Sequence, residues 1–287
     1  MTSNEEREDV ECQAIAYLIS QYPAPSHTFI HREVAALRAR GLTIKTFSIQ
    51  PTIEEWRADS VIAEEAKTTF VILDQAWGRI LVTSLNWLAK EPGRFCKVFF
   101  EALRHRPPGL RGLALAIAHF AEAALLANQL KRRRIAHLHN HFANSAATVG
   151  YLAAQLIDLP WSFMIHGISE TDYPAGVTLP DKIRRARFVA CASWFGRAQA
   201  MRVVEPEHWS KIVVVRCGVP VAQLPFNLKA RTGRRILCVG RLSPEKGQAG
   251  LIEIFADIHR KIGDARLELV GSGPDEDRLR AQADRLG

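Results

Sequence analysis

Short apolar runs alternate with helix-type patterns along nearly the whole chain, and this alternation restricts the fold more than any other feature. The runs of strand length are QAIAYLIS, LTIKTFSIQ, TTFVIL, IAHLH, WSFMIH, FVACAS and KIVVVRCG. Strands that are apolar on both sides are typical of parallel sheets covered by helices. After an irregular segment, VAQLPFNLKARTGR, the strands RRILCVG and RLELVG repeat the pattern. The sequence therefore predicts an α/β protein with two Rossmann-like lobes with parallel sheets, residues 1–222 and 223–287.

Helices are predicted between the strands from periodicity and from signals at their ends. Ser26 is expected to cap a helix that ends at Gly41, because hydroxyl side chains accept backbone N–H groups and glycine adopts left-handed backbone angles. Residues 76–132 are expected to be helical, with breaks at the Pro-Gly sites 92–93 and 107–109.

The chain is basic, with a formal net charge of +8 from 38 Lys and Arg against 30 Asp and Glu. This charge favours acidic partners such as nucleotide phosphates, nucleic acid or an anionic membrane surface. No stacking-aromatic sheet motif and no recognised DNA-binding helix pair is present, so we expect no nucleic-acid partner. The five cysteines are scattered, which indicates a reducing cytoplasm. The acidic start MTSNEEREDVE lacks an apolar segment, so we expect no signal peptide.

The most apolar helical stretch, GLALAIAHFAEAALLANQL, is interrupted by His119 and Glu122, so we do not expect it to span a membrane. It is expected to pack in a core or to lie on a membrane surface. The basic clusters and the helices that carry Trp77 and Trp87 would suit peripheral contact with the inner leaflet. We therefore expect a cytoplasmic protein, with attachment to the inner face of the cell membrane left open.

Polar residues follow the predicted strands, at the positions where parallel sheets bind their ligands. Because the carboxyl ends of parallel strands share one edge, these residues should converge on one face of each lobe. The positions in the first lobe include Ser26, His141, His166, Ser193 and Cys217.

The stretch ILCVGRLSPEKGQAGLIEIF combines two cations with a predicted helix start. A strand ends at Gly240, Arg241 and Lys246 stand five apart in the loop, and a helix begins near Gly247. Cations beside a helix N-terminus can hold a pyrophosphate. The alternative is a surface loop with two solvated cations.

Two segments, VGRLSPEKG before a helix and LELVGSGP before DEDRLRAQA, resemble the donor lobe of the family 4 retaining glycosyltransferases of GT-B fold. Earlier segments, among them YPAPSHTFIHREVAALRARG, HNHFANSAATVGYLAAQL and WSFMIHGISETD, resemble the branch that builds colanic acid and similar exopolysaccharides. The resemblance implies transfer of a sugar from a nucleotide-diphosphate sugar to a polysaccharide or lipid-linked oligosaccharide, with retention at the anomeric carbon.

The resemblance also assigns roles to residues. Arg241 and Lys246 would neutralise the diphosphate leaving group, and His166 would lie against the donor sugar at the reacting centre. No metal or other cofactor is expected, because the two cations would take its role. The donor-binding residues by this resemblance are Gly240, Arg241, Lys246, Gly271, Ser272 and Gly273. The acceptor-side residues are Ser26, His27, Thr28 and His141.

The stretch HLHNH places His137, His139 and His141 on the same side of a strand, which is a pattern that could suit a metal. A metal site needs further ligands and supporting groups, and no Asp or Glu follows within reach in sequence. We therefore do not expect a metal site. By the resemblance, His141 is an acceptor-side residue at the mouth of the cleft, while His137 and His139 lie on a face that helices cover.

Members of this family have a longer donor lobe with a Glu-x7-Glu motif. The pairs Glu245/Glu253 and Glu268/Glu276 have this spacing but precede the place of the motif, so neither is assigned to it. The second lobe is therefore expected to be incomplete, and the 287-residue chain to be inactive. The alternative is a truncated, non-catalytic remnant that binds a glycan or a nucleotide.

Overall fold

A computed structural model describes residues 14–104, 106–172, 178–223 and 233–287. The chain divides into two compact units, Met1–Pro220 and Val221–Gly287. The acidic start of the chain and most of the segment VAQLPFNLKARTGR, which was predicted to be a linker, lie outside the described residues.

Seven parallel strands form the sheet of the first unit in the order β3-β2-β1-β4-β5-β6-β7. They are β1 (Ala14–Gln21), β2 (Ile44–Gln50), β3 (Phe70–Val71), β4 (Ile135–His141), β5 (Trp161–Ile165), β6 (Val189–Cys191) and β7 (Ile212–Val214). All neighbouring pairs are parallel, so their carboxyl ends share one edge. The predicted strand TTFVIL is shorter than expected, because its first residue, Thr68, still belongs to the preceding helix.

Eight helices connect these strands in the described part of the unit. They are α1 (Thr28–Ala39), α2 (Ser60–Thr68), α3 (Trp77–Lys90), α4 (Pro92–Arg104), α5 (Leu110–Arg132), α6 (Ser145–Ile157), α7 (Leu179–Arg185) and α8 (Trp194–Arg202). The predicted breaks between α3, α4 and α5 are confirmed, and Gly41, with φ of 85°, follows the end of α1. The predicted cap is wrong: Ser26 lies in a 3-10 turn (Pro25–His27), and no side chain caps α1.

The main core lies on the sheet face that is covered by α3 to α8, and the side chain of Asn140 in β4 is fully buried there although it is polar. Its Nδ2 donates to the carbonyl oxygens of Leu18, 3.2 Å away, and Ala146, 3.3 Å away. Its Oδ1 accepts the indole N–H of Trp161 at 2.7 Å. One amide therefore joins β1, β4, β5 and the start of α6, and leaves none of its own polar atoms unsatisfied.

On the opposite face, α1 packs against β1 and β2 through residues such as Ile30 and Val34. Beyond α1, a groove of about 690 Å³ runs over the sheet and is lined in part by His137, His139 and Phe188. The prediction that helices cover these two histidines needs correction: His139 is buried, whereas His137 is only half-buried beside this groove. The reason is that α6, α7 and α8, which follow β4, β5 and β6, all pack on the main-core face.

Helix α5 is the one described helix that is long and apolar enough to cross a membrane by length and composition, and half of its most apolar window is buried in the unit. Trp87 is also buried, and its indole N–H donates to the carbonyl of Ala124 at 3.1 Å. Trp87 therefore offers no surface for membrane contact, because its ring fills the space between α3 and α5. Trp77, by contrast, is 77% exposed.

The second unit consists of two β-α pairs, as the sequence pattern predicts. Its elements are β8 (Arg235–Val239), α9 (Gln248–Lys261), β9 (Arg266–Val270) and α10 (Glu276–Leu286). The two strands are parallel. Leu242, Ile252 and Leu279 form its buried core, beside an apolar groove of about 480 Å³.

Replacing Gly150 by alanine tests the packing around Asn140. A Cβ at this position of α6 would lie 2.0 Å from Oδ1 of Asn140, so the side chain would have to move away from Trp161. We expect Gly150→Ala to lower the free energy of unfolding by about 1–3 kcal/mol. Chemical denaturation measures this change.

Gly78→Ala in α3 is the matched control, because a Cβ there meets no atom within 4 Å. It should leave the stability unchanged or slightly raised. Equal stability of the two variants would contradict the close contact at Gly150.

Candidate functional site

Two of the predicted site histidines meet at the carboxyl edge of the first unit's sheet. His141 is the last residue of β4, and His166 directly follows the neighbouring strand β5. Nδ1 of His141 lies 3.0 Å from Nε2 of His166, and the ring centroids are 5.3 Å apart. The parallel pairing of β4 with β5 brings these distant parts of the sequence into contact.

Aromatic rings surround His166. The rings of Phe29 and Phe142 both have centroids 4.7 Å from the His166 ring, and His27 lies 5.2 Å from Phe142. Nδ1 of His27 donates to the carbonyl of Gln21 at 3.0 Å, which fixes the ring at the end of β1. The start of α1, predicted on the acceptor side, therefore lies beside His166.

The remaining predicted residues at this edge differ in exposure. Ser26 and Thr28 are exposed, and Thr28 accepts hydrogen bonds from Arg32 through both its hydroxyl and its carbonyl oxygen. Ser193 caps α8 by accepting the N–H of Gly196 at 3.1 Å, so its hydroxyl serves the helix.

Burial keeps both contacting histidines neutral near pH 7. His141 has no exposed surface, and burial lowers its pKa well below the usual range. Burial also lowers the pKa of His166 to about 4, with a smaller contribution from the nearby His27. The prediction that His141 lies at the mouth of the cleft needs correction, because the rings of Tyr17, Phe29 and His166 enclose it. A ligand at this edge would meet His166 first.

Two buried ionisable residues to which no sequence motif pointed hold the loops of this site. The carboxylate of Glu170 accepts the backbone N–H groups of Ala143 at 2.6 Å, and of His166 and Gly167 at 2.8 Å. Nζ of Lys182 donates to the carbonyl oxygens of Ala143 at 2.8 Å and Asn144 at 3.0 Å. The loops that follow β4 and β5 are thereby joined.

These contacts support an unusual backbone conformation. Phe142 has φ of 68°, which is rare for a bulky residue and costs about 1–3 kcal/mol. The next residue, Ala143, is held on both sides, through its N–H by Glu170 and through its carbonyl by Lys182. No capping-box signal pointed to Glu170: it accepts the N–H of Gly167 three residues earlier, but glycine has no side chain to complete the motif.

The other two histidines of HLHNH share a hydroxyl group. Nε2 of His137 and Nδ1 of His139 each lie 2.7 Å from Oγ of Ser162. Both rings stack on Phe188, with centroid distances of 6.0 and 5.8 Å. Within the described residues, no group of three or more His, Cys, Asp or Glu side chains has an arrangement that could hold a metal ion.

In the second unit, the predicted phosphate loop joins β8 to α9. Nη2 of Arg241 donates to Oε1 of Glu245 at 2.8 Å, and the Ser243 hydroxyl donates to the same oxygen at 2.8 Å. Lys246 is exposed, and Gly247, with φ of 70°, precedes the first turn of α9. The loop therefore presents two exposed cationic side chains at a helix N-terminus, one of them paired with a carboxylate.

The glycines of the GSGP stretch allow two loops of the second unit to touch. A Cβ on Gly271 would lie 2.0 Å from the carbonyl oxygen of Gly240, and one on Gly273 would lie 2.2 Å from that of Leu242. The N–H of Leu242 donates to the carbonyl of Ser272 at 3.0 Å. The predicted donor-binding residues of both loops are thus neighbours, and glycine is required for this approach.

Comparison with known proteins finds a family match within the second unit. Residues 222–287 match the family described as glycosyl transferases group 1. The GDP-mannose-dependent alpha-(1-6)-phosphatidylinositol monomannoside mannosyltransferase of Mycobacterium tuberculosis is 31% identical over 121 residues. That match covers 39% of this chain and 28% of the relative. The enzyme of the same name from Mycolicibacterium smegmatis is 31% identical over 115 residues, with the same coverage. The matches therefore span less than a third of these curated relatives.

Solved structures are similar over almost the whole chain. TarM of S. aureus, in a complex with fondaparinux, alpha-GlcNAc-glycerol and UDP, has a TM-score of 0.63 at 8% identity, covering 96% of this chain and 75% of its own. Sucrose-phosphate synthase from Thermosynechococcus elongatus has a TM-score of 0.61 at 14% identity, covering 96% and 68%. At these identities the likeness shows the fold. The predicted α/β, GT-B-like fold class with Rossmann-like lobes is confirmed.

The buried Lys182 should make the stability of the protein depend on pH. Burial lowers its pKa to about 7, whereas a lysine of an unfolded chain titrates near ~10.4. Between these values the unfolded chain binds a proton that the folded chain has lost, so the free energy of unfolding rises with pH. We expect Lys182 to contribute up to about 1.4 kcal/mol per pH unit between pH 7 and 9. Urea denaturation at both pH values measures it.

Lys182→Met should remove this contribution, and Lys67→Met, at an exposed position of α2, should retain it. The same pH dependence in wild type and Lys182→Met would show that Lys182 does not lose its proton in the folded state.

Proposed function

We propose that the chain is part of a glycosyltransferase that transfers a sugar from a nucleotide-diphosphate sugar to a polysaccharide or lipid-linked oligosaccharide. One observation carries the proposal. The segment that matches glycosyl transferases group 1 contains a loop with Arg241 and Lys246 at the start of α9. Two cations beside a helix N-terminus stabilise the negative charge that develops on a diphosphate leaving group. These cations would do so without a metal ion.

The proposed reaction retains the configuration at the anomeric carbon. The bond from that carbon to the diphosphate oxygen breaks, and the acceptor hydroxyl forms the new bond on the same face. The hydroxyl proton passes to the departing diphosphate. His166 would lie against the donor sugar, and its aromatic surroundings would favour a sugar ring over free water. Ser26, His27 and Thr28 would face the acceptor.

Nucleotide binding tests the proposed role of the loop. We expect the full chain to bind UDP or GDP, and Arg241→Ala and Lys246→Ala each to weaken binding by about 10- to 100-fold, because each removes a charge-assisted contact to phosphate. Isothermal titration calorimetry with both nucleotides measures the dissociation constants.

Arg235→Ala is the control in the same unit, at the start of β8 and away from the loop. It should bind like wild type. An equal loss of nucleotide affinity in all three variants would indicate only a general effect of charge. The proposed role of the loop would then be wrong.

A measurement of turnover distinguishes the proposed enzyme from the alternative, a non-catalytic binding protein. Hydrolysis or transfer of a nucleotide-sugar by the 287-residue chain would overturn the expectation that it is inactive. Nucleotide or glycan binding without turnover would favour the non-catalytic binding protein.

We also propose peripheral contact with an anionic membrane surface, in the cytoplasm, through α3. Trp77, Leu81, Leu85 and Leu88 follow one another at helical spacing and are 40–77% exposed. Arg79 and Lys90 are exposed on the same helix. An apolar stripe with flanking cations suits the boundary between lipid headgroups and acyl chains. An acceptor linked to lipid would be found at such a surface.

Vesicle binding tests this contact. We expect Leu81→Glu and Leu85→Glu each to weaken binding to phosphatidylglycerol-containing vesicles by about tenfold or more, because each removes an exposed leucine that would insert into the membrane and adds a negative charge. Val61→Glu, on α2 and 52% exposed, is the matched control and should bind normally. Cosedimentation measures the bound fraction. Wild-type protein that stays in solution with these vesicles would contradict the proposal.

A further inference from the structure

The ring of His166 is held by a chain of contacts that starts at Glu33 of α1. Nε2 of His141 is buried without a hydrogen-bond partner among the described residues, and it lies 3.9 Å from Oε1 of Glu33. The Tyr17 hydroxyl donates to the same oxygen at 2.7 Å. On its other side, Nδ1 of His141 contacts Nε2 of His166 at 3.0 Å.

Two neutral imidazoles that share this contact have two arrangements. In the first, His141 carries its proton on Nδ1 and donates to His166, which leaves a bare lone pair on Nε2 of His141 facing Glu33. In the second, His166 donates from Nε2, and the Nε2–H of His141 points at Glu33. A lone pair facing a carboxylate oxygen is repelled, whereas an N–H is attracted. The second arrangement is therefore the stable one.

The protonation of Glu33 does not reverse this choice. Burial raises the pKa of Glu33, but Oε1 accepts the hydrogen bond of Tyr17 and so presents lone pairs to its surroundings. A proton on the carboxyl group would therefore reside on the other oxygen. His141 faces an acceptor in either state.

A separate contact on the far side of His166 agrees with this arrangement. With its proton on Nε2, His166 has a bare lone pair on Nδ1. Sγ of Cys217 lies 3.8 Å from this atom, and a thiol is a weak donor. The backbone of His166 is fixed independently, through its N–H, by Glu170.

We propose that Glu33 and His141 are positioning residues that hold His166 as its Nε2–H tautomer, so that Nδ1 of His166 accepts a hydrogen bond from a hydroxyl group of the bound sugar. The identity of that ligand rests on the proposed function, while the tautomer does not. A hydroxyl donor would replace the weak contact to Cys217. An anionic group, such as the carboxylate of a uronic acid, would be repelled by the lone pair.

Nuclear magnetic resonance of the full chain labelled with ¹⁵N-histidine tests the tautomer without any substrate. Long-range ¹H–¹⁵N correlations distinguish a protonated from a bare ring nitrogen. We expect His141 and His166 each to show a protonated Nε2 and a bare Nδ1. His27 is an internal reference of the opposite kind, because its Nδ1 donates to a backbone carbonyl. A protonated Nδ1 on His166 would overturn the proposal.

Variants of Glu33 test the cause. Glu33→Leu removes the acceptor, so we expect the single-tautomer spectrum of His141 and His166 to be lost, with intermediate shifts for both rings. Glu33→Gln keeps a carbonyl oxygen and should restore much of the wild-type spectrum. Glu64→Leu, on the exposed surface of α2, should change nothing. Unchanged tautomers in a folded Glu33→Leu protein would overturn the role of Glu33.

The results of these experiments distinguish a failure of this inference from a failure of the proposed function. Wild-type tautomers without any nucleotide or sugar binding would refute the function and leave the positioning intact. Normal nucleotide binding with the opposite tautomer at His166 would refute the positioning alone.

Discussion

The carboxylate of Glu170 accepts three backbone N–H groups, and the two loops of the first unit's site depend on this interaction. A buried charge is costly unless its surroundings replace the hydrogen bonds of water. Glu170 meets this condition with N–H groups from the loops after β4 and β5, and the buried amine of Lys182 donates to two carbonyl oxygens of the first loop. Neither loop can shift without breaking a hydrogen bond to the buried carboxylate of Glu170 or the buried amine of Lys182. The backbones beside His141 and His166 are therefore joined through one carboxylate.

This interaction in turn requires the parallel order of the sheet. His141 and His166 are 25 residues apart in sequence. The pairing of β4 with β5 brings Nδ1 of His141 to 3.0 Å from Nε2 of His166. β1 lies on the other side of β4 and carries Tyr17, whose hydroxyl fixes Glu33. Asn140 ties these three strands together from the core side. The polar chemistry on one edge thus depends on a buried amide that never contacts a ligand.

The sequence predicted those features that depend on local pattern. Apolar runs located the strands, and Pro-Gly sites separated α3, α4 and α5, because each signal acts on its own neighbours. It also placed His141 and His166 at one edge, since parallel strands end together. It failed where a residue's surroundings come from distant segments. The burial of His141, the inward side of Trp87 and the contacts of Lys182 depend on which helix packs on which face. The alternation of strands and helices in the sequence does not by itself determine on which face of the sheet each helix packs.

The second unit shows how the charges of a proposed phosphate loop are arranged before any ligand binds. Arg241 is paired with Glu245, and both side chains are more than half exposed, so water and salt screen their attraction. A diphosphate would offer Arg241 more charge than one carboxylate does, and it would also attract Lys246. Binding would then exchange a weak internal pair for a stronger external one. Until that exchange, Glu245 holds Nη2 of Arg241 at 2.8 Å, within the loop that precedes α9. The same carboxylate that lowers the affinity thus orients the side chain that would provide it.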